Sequence, residues 1–350
     1  MSLTALRLLP IPYNGLVIEN TTRCNAKCAM CYQSSGPKGS DLFGKVELTS
    51  DELRRVISEA AHIPVVKSRC HLAGGESFLD ISQCLLVFAH AREAGFEDIS
   101  TTTNAYWANS VAKAREVCHN ARKNGLLRME ISWDYWHSPF ISPAAVANCI
   151  DACFEEGVKT NLRVLSTKRH SAQEALEAIR RDTLSRCDEV SCGPVFPTGR
   201  AEKTIPKDEI FYKGNLANVC HGVLNLTVNA TGKVYPCCAG ADQTDALAFG
   251  NIKNDSLQTI VERMDRSLLL RALVFLGPGS FLGILKEHGV DFAGPHSNIC
   301  HLCWDIFSNA EHMSTVSSHL ERLEQDVLGA FVSSATTYLL SKGSQSSALA

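Results

Sequence analysis

Three cysteines, Cys24, Cys28 and Cys31, lie close together in a Cys-x3-Cys-x2-Cys spacing. Three thiolates this close in sequence face a single point only if the backbone wraps around it, which is typical of a loop that binds a metal centre. A [4Fe–4S] cluster takes four cysteine ligands when the protein ligates it fully. Three cysteines therefore leave one iron open to a small molecule, as a catalytic zinc site keeps one open position. A zinc knuckle or a chance cluster are the alternatives for the spacing alone.

The composition of the 350-residue chain is that of an ordinary globular protein, with 45% hydrophobic and 20% charged residues. The formal net charge is −3, so we expect no basic surface for nucleic acid. The longest apolar runs are too short to span a membrane, and residues 1–12 lack the pattern of a signal peptide. We therefore expect a cytoplasmic protein without a membrane or nucleic-acid partner. In that setting, fifteen cysteines indicate metal binding or redox chemistry.

Strand and helix patterns alternate from residue 16 to residue 194. The sequence Thr49-Ser50-Asp51-Glu52 predicts a capping box at the start of the first helix. Such alternation predicts parallel β/α units, whose right-handed crossovers bring the carboxyl ends of the strands to one face. Periodicity alone does not distinguish a barrel from a doubly wound sheet. Six strands are predicted, at 16–20, 67–72, 98–103, 127–133, 160–165 and 189–194.

Beyond residue 200 the pattern changes. Segments 223–228 and 233–237 alternate like strands around the turn sequence Asn229-Ala230-Thr231-Gly232, which predicts a hairpin. Helices are predicted near 256–264, 266–276 and 305–328. A hairpin with a later Cys-x2-Cys pair can close four thiolates around one point, as an iron–sulfur cluster or a structural zinc requires. These four are Cys220, Cys237, Cys300 and Cys303, with Cys238 as an alternative to Cys237.

Polar side chains follow the predicted strands at the face where the cysteine loop lies. After the second strand, Gly74 and Gly75 permit close approach of the backbone to a ligand, and Glu76 supplies an acceptor. The third and fourth strands end in hydroxyl, amide and carboxylate groups that suit a ribose, although the same groups fit ordinary strand-end capping. These are Thr103, Asn104, Ser132 and Asp134.

The cysteine loop followed by the Gly-Gly-Glu turn resembles the radical S-adenosylmethionine (SAM) superfamily, although Met30 stands where that family often has an aromatic residue. In this family the open iron chelates SAM, and one electron cleaves SAM to a 5′-deoxyadenosyl radical that abstracts a substrate hydrogen. The resemblance implies a partial (β/α)6 barrel. It also implies that Gly74, Gly75 and Glu76 contact the SAM amino group. Thr103, Asn104, Ser132 and Asp134 would then lie near SAM or substrate, and Arg163 would pair with the SAM carboxylate.

The second cysteine set resembles the SPASM/Twitch auxiliary domain of the same superfamily. No cysteine follows Cys303, which favours the Twitch form with a second, auxiliary [4Fe–4S] cluster. The implied organisation is a radical SAM barrel over 13–200, an auxiliary domain of a β-hairpin plus helices over 201–310, and a C-terminal helix with a frayed tail over 311–350.

A fully ligated auxiliary cluster relays electrons, so we expect hydrogen abstraction coupled to one-electron transfer. The expected substrate is a ribosomally made peptide, cross-linked, epimerised or given a thioether in natural-product maturation. The alternative is a dehydrogenase or epimerase of a small sugar or aminocyclitol. Only residues 1–15 precede the first strand, so we expect a separate peptide-recognition protein rather than an N-terminal recognition domain. A flavodoxin or ferredoxin is the expected reductant.

Epimerisation also needs a hydrogen donor, and Cys192 near the end of the sixth strand is the candidate, with a packed core cysteine as the alternative. From other classes, the chain could be a non-catalytic iron–sulfur electron carrier or a zinc-stapled interaction protein. The open iron and the Gly-Gly-Glu turn argue against both.

Overall fold

The computed structural model of the protein describes residues 11–212, 219–220, 224–238, 244–290 and 295–320, with residues 329 and 332. Its centre is a nine-stranded sheet in which the first six strands are parallel and each pairs with the next in sequence. A doubly wound sheet reverses its strand order beside the first strand, and these six strands do not. They are β1 (Leu16–Glu19), β2 (Arg69–Ala73), β3 (Asp98–Thr103), β4 (Arg128–Ser132), β5 (Lys159–Ser166) and β6 (Glu189–Pro194).

Helices connect the parallel strands, which confirms the predicted α/β class. The first helix begins with the predicted capping box, in which the Thr49 side chain accepts from Glu52 N and the Glu52 side chain accepts from Thr49 N. The helices are α1 (Ser50–Ala61), α2 (Ile81–Glu93), α3 (Val111–Lys123), α4 (Pro143–Glu155), α5 (Ala172–Glu177), α6 (Arg181–Leu184) and, after the sixth strand, α7 (Arg200–Thr204).

The two faces of the parallel sheet differ in chemistry because side chains alternate along each strand. One face is apolar and packs in the main hydrophobic core with the helices, through residues such as Ile18, Leu72, Ile131 and Val164. The other face is polar, which makes it a wall for a ligand rather than a second core. We call this polar face the inner wall. In strand order, it carries Arg69, His71, Ser100, Thr102, Glu130, Asn161, Arg163 and Ser191.

The C-terminal region extends the same sheet. The predicted hairpin is present as β7 (Leu226–Val228) and β8 (Lys233–Tyr235), followed by the antiparallel strand β9 (Gly250–Asn251); Val223 lies outside the described residues. The Asn229 side chain holds the turn by accepting from the N–H groups of Thr231 and Lys233. The pattern did not predict that β7 pairs in parallel with β1.

A second hydrophobic core lies beneath the C-terminal helices, through residues such as Tyr235, Leu273, Phe281 and Leu302. The predicted helix 305–328 is interrupted in its described part, because two helices flank Asn309, whose side chain accepts from Glu311 N and His312 N and so starts a new helix. Residues 321–328 of that prediction lie outside the described residues. The helices are α8 (Leu257–Arg266), α9 (Leu268–Phe275), α10 (Phe281–Glu287), α11 (Ile299–Phe307) and α12 (Ala310–Ser317).

Among the described residues, no single helix has the length and apolar character to cross a membrane. One bent pair, Leu268–Phe275 with Pro278–Glu287, meets the length and composition criteria with a 111° bend. Residues of both segments, such as Leu273 and Phe281, lie in the second hydrophobic core.

Candidate active site

The three-cysteine loop leaves the carboxyl end of β1 and folds back on itself. Cys24 N donates to Gly36 O over 3.0 Å, and Cys31 N donates to Cys28 O over 3.2 Å. Cys24 and Cys28 are buried, and Cys31 is half-buried. Burial raises the pKa of the Cys31 thiol, while the backbone N–H groups of Ser35 and Gln33 and the charge of Arg200 oppose this rise. The Cys31 thiol is therefore protonated in metal-free protein at neutral pH, and the same N–H groups would donate to its sulfur in a ligated thiolate.

Arg200, the first residue of α7, holds the loop from outside the six-stranded unit. Its side chain is only 7% exposed and forms an ion pair with Asp41 at 2.8 Å. It donates to Cys28 O at 2.9 Å, to Ser35 O at 2.7 Å and also to Ser34 O. The sequence indicated a turn at residues 197–201 but no role for this side chain, because the contact joins segments more than a hundred residues apart.

The Gly-Gly-Glu turn docks directly on the cysteine loop. Gly75 N donates to Thr21 O over 2.7 Å, and Glu76 N donates to Arg23 O over 2.8 Å. A Cβ atom on Gly75 would lie 2.0 Å from Arg23 O, so only glycine fits there. Gly74 precedes it with a φ of +149°. The turn and the cysteine loop therefore form one unit.

Glu76 is fully buried beside this unit, with 1% of its surface exposed. Its carboxylate accepts from the Thr103 hydroxyl at 2.8 Å, from Asn104 N at 2.8 Å and from Phe78 N at 3.2 Å. Burial raises the pKa of Glu76 to about 7, and these hydrogen bonds oppose the rise. Two carboxylate oxygens offer about four acceptor positions, so one stays available for an ammonium group.

Asn104 connects the carboxylate to the cysteine loop. Its backbone N–H donates to Glu76, while its side-chain amide lies 3.7 Å from Cys24 Sγ and donates to Asn25 Oδ1 at 2.9 Å. The structure thus brings together Cys24, Gly75, Glu76, Thr103 and Asn104, which the sequence predicted as separate motifs.

Three further predicted residues lie at the ends of β4 and β5. Ser132 pairs in register with Arg163, and the Arg163 guanidinium faces Glu130 at 3.9 Å with 45% of its side chain exposed. Both stay candidates for SAM or substrate. The buried carboxylate of Asp134 accepts from His137 Nδ1 at 2.8 Å and from Trp136 N at 3.0 Å. Asp134 therefore organises its own loop, and its contact with the cofactor stays a prediction.

The structure also removes the geometric support for Cys192 as a hydrogen donor. Cys192 pairs in register with Val164, whose side chain packs in the core with the helices, whereas the neighbouring Ser191 pairs with Arg163 on the polar face. The Cys192 side chain is exposed on the helix-facing side of an edge strand. It therefore does not point toward the inner wall of the sheet.

His71 lies at the middle of the inner wall, within a polar network. Its Nδ1 lies 2.9 Å from Ser100 Oγ and its Nε2 lies 3.0 Å from Thr102 Oγ1. Burial, together with the charges of Arg69 and Arg128, lowers the pKa of His71 to about 3. His71 is therefore a neutral hydrogen-bonding group of the wall at physiological pH.

This depressed pKa predicts acid sensitivity. Below its ordinary pKa near 6.5, an unfolded histidine takes up a proton that folded His71 does not take up until about pH 3. Between pH 7.5 and pH 5.5, the free energy of unfolding of the wild type should fall by about 1.4 kcal/mol more than that of His71→Asn. Denaturant unfolding of both metal-free proteins at the two pH values measures this difference, and an identical pH response would contradict it.

The second cysteine set converges in the C-terminal region. Cys220, Cys237, Cys300 and Cys303 all line one cavity, whereas Cys238 does not line it. Burial raises the pKa of Cys220 to about 11, with a contribution from Cys300, and raises that of Cys303 well above its ordinary value. The thiols of Cys220 and Cys303 are therefore protonated in metal-free protein at neutral pH, and ligation would release their protons.

Both sites suit iron–sulfur clusters. At the first site, three sulfurs are surrounded by N–H donors, including Ala26 N at 3.4 Å from Cys24 Sγ, and a free carboxylate acceptor position lies next to them. At the second site, four thiols share a cavity whose other lining is largely apolar, as a fully ligated cluster requires.

A parallel β/α sheet with a three-cysteine loop at its strand ends defines a cluster-dependent enzyme, and sequence comparison gives its family. The sequence model of the Radical SAM superfamily matches residues 18–182, and that of an iron–sulfur cluster-binding domain, SPASM, matches residues 220–276. The chain belongs to the radical SAM superfamily and has a C-terminal SPASM domain. The cofactors of the radical SAM domain are a [4Fe–4S] cluster and SAM, and the SPASM domain binds auxiliary iron–sulfur.

The chain is also similar to individual proteins. "Putative peptide biosynthesis protein YydG" of Bacillus subtilis (strain 168) is 26% identical over 320 residues, which covers 89% of this chain and 97% of the relative. A "GTP 3',8-cyclase" of Vibrio cholerae is 30% identical over 166 residues, only 47% of the cyclase. The solved structure "Native anSMEcpe with bound AdoMet" matches with a TM-score of 0.51 and 14% identity, covering 89% of this chain and 99% of that one, which shows the shared fold.

Proposed function

We propose that this protein is a radical SAM enzyme that modifies a ribosomally made peptide. The observation that carries the catalytic part is the Cys24–Asn104–Glu76 network, which joins a three-thiol site to a carboxylate with a free acceptor position. When bound, the cluster and SAM supply a 5′-deoxyadenosyl radical that abstracts a substrate hydrogen. The chain's own groups then position the reactants and exclude water.

Each residue of the network has a positioning role in this proposal. Glu76 accepts from the SAM ammonium, and Thr103 and Asn104 fix its carboxylate in place. Gly75 lets the turn contact the cysteine loop without steric conflict. Arg200 fixes the loop carbonyls, so that the three sulfurs keep one arrangement during turnover.

Two observations support a peptide as substrate. The relative that matches 89% of this chain is named as a peptide biosynthesis protein. The inner wall also presents donors and acceptors side by side, such as Glu130 and Arg163 at 3.9 Å and Asn161 bonded to Ser191 at 2.7 Å. A peptide backbone offers the same mixture of groups in return.

The partners follow from the electron requirement of the reaction. The cluster needs one electron from a reductant, for which a flavodoxin or ferredoxin is our proposal, and a separate recognition protein remains our proposal for presenting the peptide. Cys220, Cys237, Cys300 and Cys303 would hold the auxiliary cluster, which would accept one electron from the substrate radical; with loss of a proton, the substrate would undergo a net two-electron oxidation. The domain limits 13–200, 201–310 and 311–350 are part of the same proposal.

The test uses anaerobically reconstituted protein with dithionite and SAM. The probes are synthetic peptides from short reading frames beside the gene, and an aminocyclitol serves as the competing substrate class. We expect one peptide to raise the release of 5′-deoxyadenosine well above the substrate-free rate. When that peptide is deuterated at the reacting carbon, deuterium should appear in the 5′-deoxyadenosine. Stimulation by the aminocyclitol, with none by any peptide, would replace the peptide proposal. Absence of SAM cleavage under all conditions would overturn the catalytic part.

A further inference from the structure

Trp304 lines the cavity that Cys220, Cys237, Cys300 and Cys303 also line. It follows Cys303 directly on α11. Trp304 also lines a neighbouring cleft of about 650 Å³ that reaches Ser34 and Arg200 at the cysteine loop of the first site. The indole ring therefore stands between the auxiliary site and the cleft.

The indole N–H of Trp304 is buried and has no hydrogen-bond acceptor within the described part of the chain. Other buried tryptophans behave differently: Trp133 Nε1 donates to Ala175 O at 2.9 Å, and Trp107 Nε1 donates to Thr103 Oγ1 at 3.0 Å. A buried donor without a partner destabilises a protein because its lost hydrogen bond to water is not replaced. Native structures seldom retain such a donor unless a water, an ion or a ligand supplies its acceptor.

The surroundings of the ring limit what that acceptor can be. Apart from Thr244, the residues that line the cavity with Trp304 are apolar or are cysteines. The apolar ones are Leu247, Pro278, Ile299 and Phe307. Within this cavity, sulfur, as cysteine thiolate or cluster sulfide, is therefore the acceptor that the loaded site offers, whereas oxygen acceptors such as Asp245 line the cleft.

We propose that the indole N–H of Trp304 donates a hydrogen bond to a sulfur of the auxiliary cluster and raises its reduction potential. This inference rests on the proposed function, because it requires a cluster at the auxiliary site. Reduction adds negative charge to the cluster, and a hydrogen bond to sulfur stabilises that charge. Trp304 is thus a tuning residue that favours electron transfer from the substrate to the auxiliary cluster.

The experiment is an anaerobic redox titration of the reconstituted holoenzyme, in which the electron paramagnetic resonance (EPR) signal of the reduced auxiliary cluster is followed. The variant Trp304→Phe keeps an aromatic wall and removes the N–H. We expect the ratio of reduced to oxidised cluster to fall about tenfold at the wild-type midpoint, which is a downward shift of about 59 mV for one electron.

Phe307→Leu is the matched control, because Phe307 lines the same cavity and the same cleft but has no donor. It should leave the midpoint unchanged. An unchanged midpoint in Trp304→Phe, or an equal shift in Phe307→Leu, would overturn the inference.

A second measurement covers the case in which Trp304→Phe fails to assemble. Pulsed EPR on wild-type protein exchanged into D2O should show a deuteron coupled to the reduced auxiliary cluster, and ring-15N tryptophan should show the matching nitrogen coupling. Absence of both couplings would also overturn the inference. Zinc at the auxiliary site would instead defeat the proposed electron relay, whereas full iron with an unshifted midpoint defeats only the role of Trp304.

Discussion

Replacing Cys24, Cys28 and Cys31 together with alanine should lower the iron content of reconstituted protein from about eight to about four per chain and abolish SAM cleavage. The three thiols are the only cysteines of the loop that leaves β1, so their loss removes the first cluster and its open iron. The auxiliary cysteines lie in a separate cavity and keep their iron. Iron and zinc analysis with a 5′-deoxyadenosine assay measures both effects.

The protein provides a matched control in Cys118, Cys149 and Cys153. Their sulfurs also converge, within 4.8 Å of one another, but in the core between α3 and α4. Cys118 Sγ lies 3.5 Å from Cys153 Sγ, and we regard these thiols as packing groups. The corresponding triple alanine variant should keep about eight irons and its SAM cleavage. Retained cleavage in the Cys24/Cys28/Cys31 variant would refute the cluster assignment.

Removing the guanidinium of Arg200 should have the second largest effect. Arg200→Met removes the charged donor from the carbonyls of Cys28, Ser34 and Ser35, in a position that is largely shielded from water, although Cys28 O and Ser34 O keep their backbone donors. Loss of these hydrogen bonds to a charged group destabilises the metal-free protein by about 3 kcal/mol in total. The loop then samples other arrangements, so the first cluster should assemble poorly while the auxiliary site still fills.

Denaturant unfolding of metal-free protein and iron analysis after reconstitution measure these two effects. Arg115→Met is the control, because Arg115 also makes a close ion pair, with Glu155 at 2.7 Å, but on the exposed surface of α3. It should change neither stability nor iron content appreciably. Normal iron and normal stability in Arg200→Met would mean that the loop keeps its shape without this side chain.

The sequence predicted most of the parallel unit, because its elements are specified locally. Thr49 and Glu52 mark a helix start within four residues, and alternating apolar residues mark each strand. The cysteine loop and the Gly-Gly-Glu turn could likewise be predicted, since the residues that set the backbone shape and those that bind a ligand lie together in one short segment. The parallel strands then bring such segments together, so that Glu76 meets Asn104 without any long-range signal.

What the sequence did not predict depends on register or on distant contacts. Ser191 and Cys192 are neighbours, but a shift of one residue exchanges the two faces of a strand, and only the pairing with β5 decides between them. The contacts of Asp134 with His137 and Trp136, which give this carboxylate a role in its own loop, were likewise not predicted. Arg200 reaches the cysteine loop through the tertiary fold alone.

The pairing of β7 with β1 bears on how the enzyme matures. Leu16 pairs with Leu226, so the strand that leads into the cysteine loop gains its second neighbour only from a distant part of the chain. Contacts of such high sequence separation form late and slowly in folding. During synthesis, β1 therefore keeps one unpaired edge until the ribosome has released the auxiliary region. A chain cut short before residue 226 would therefore present its cysteine loop on a strand with one unpaired edge.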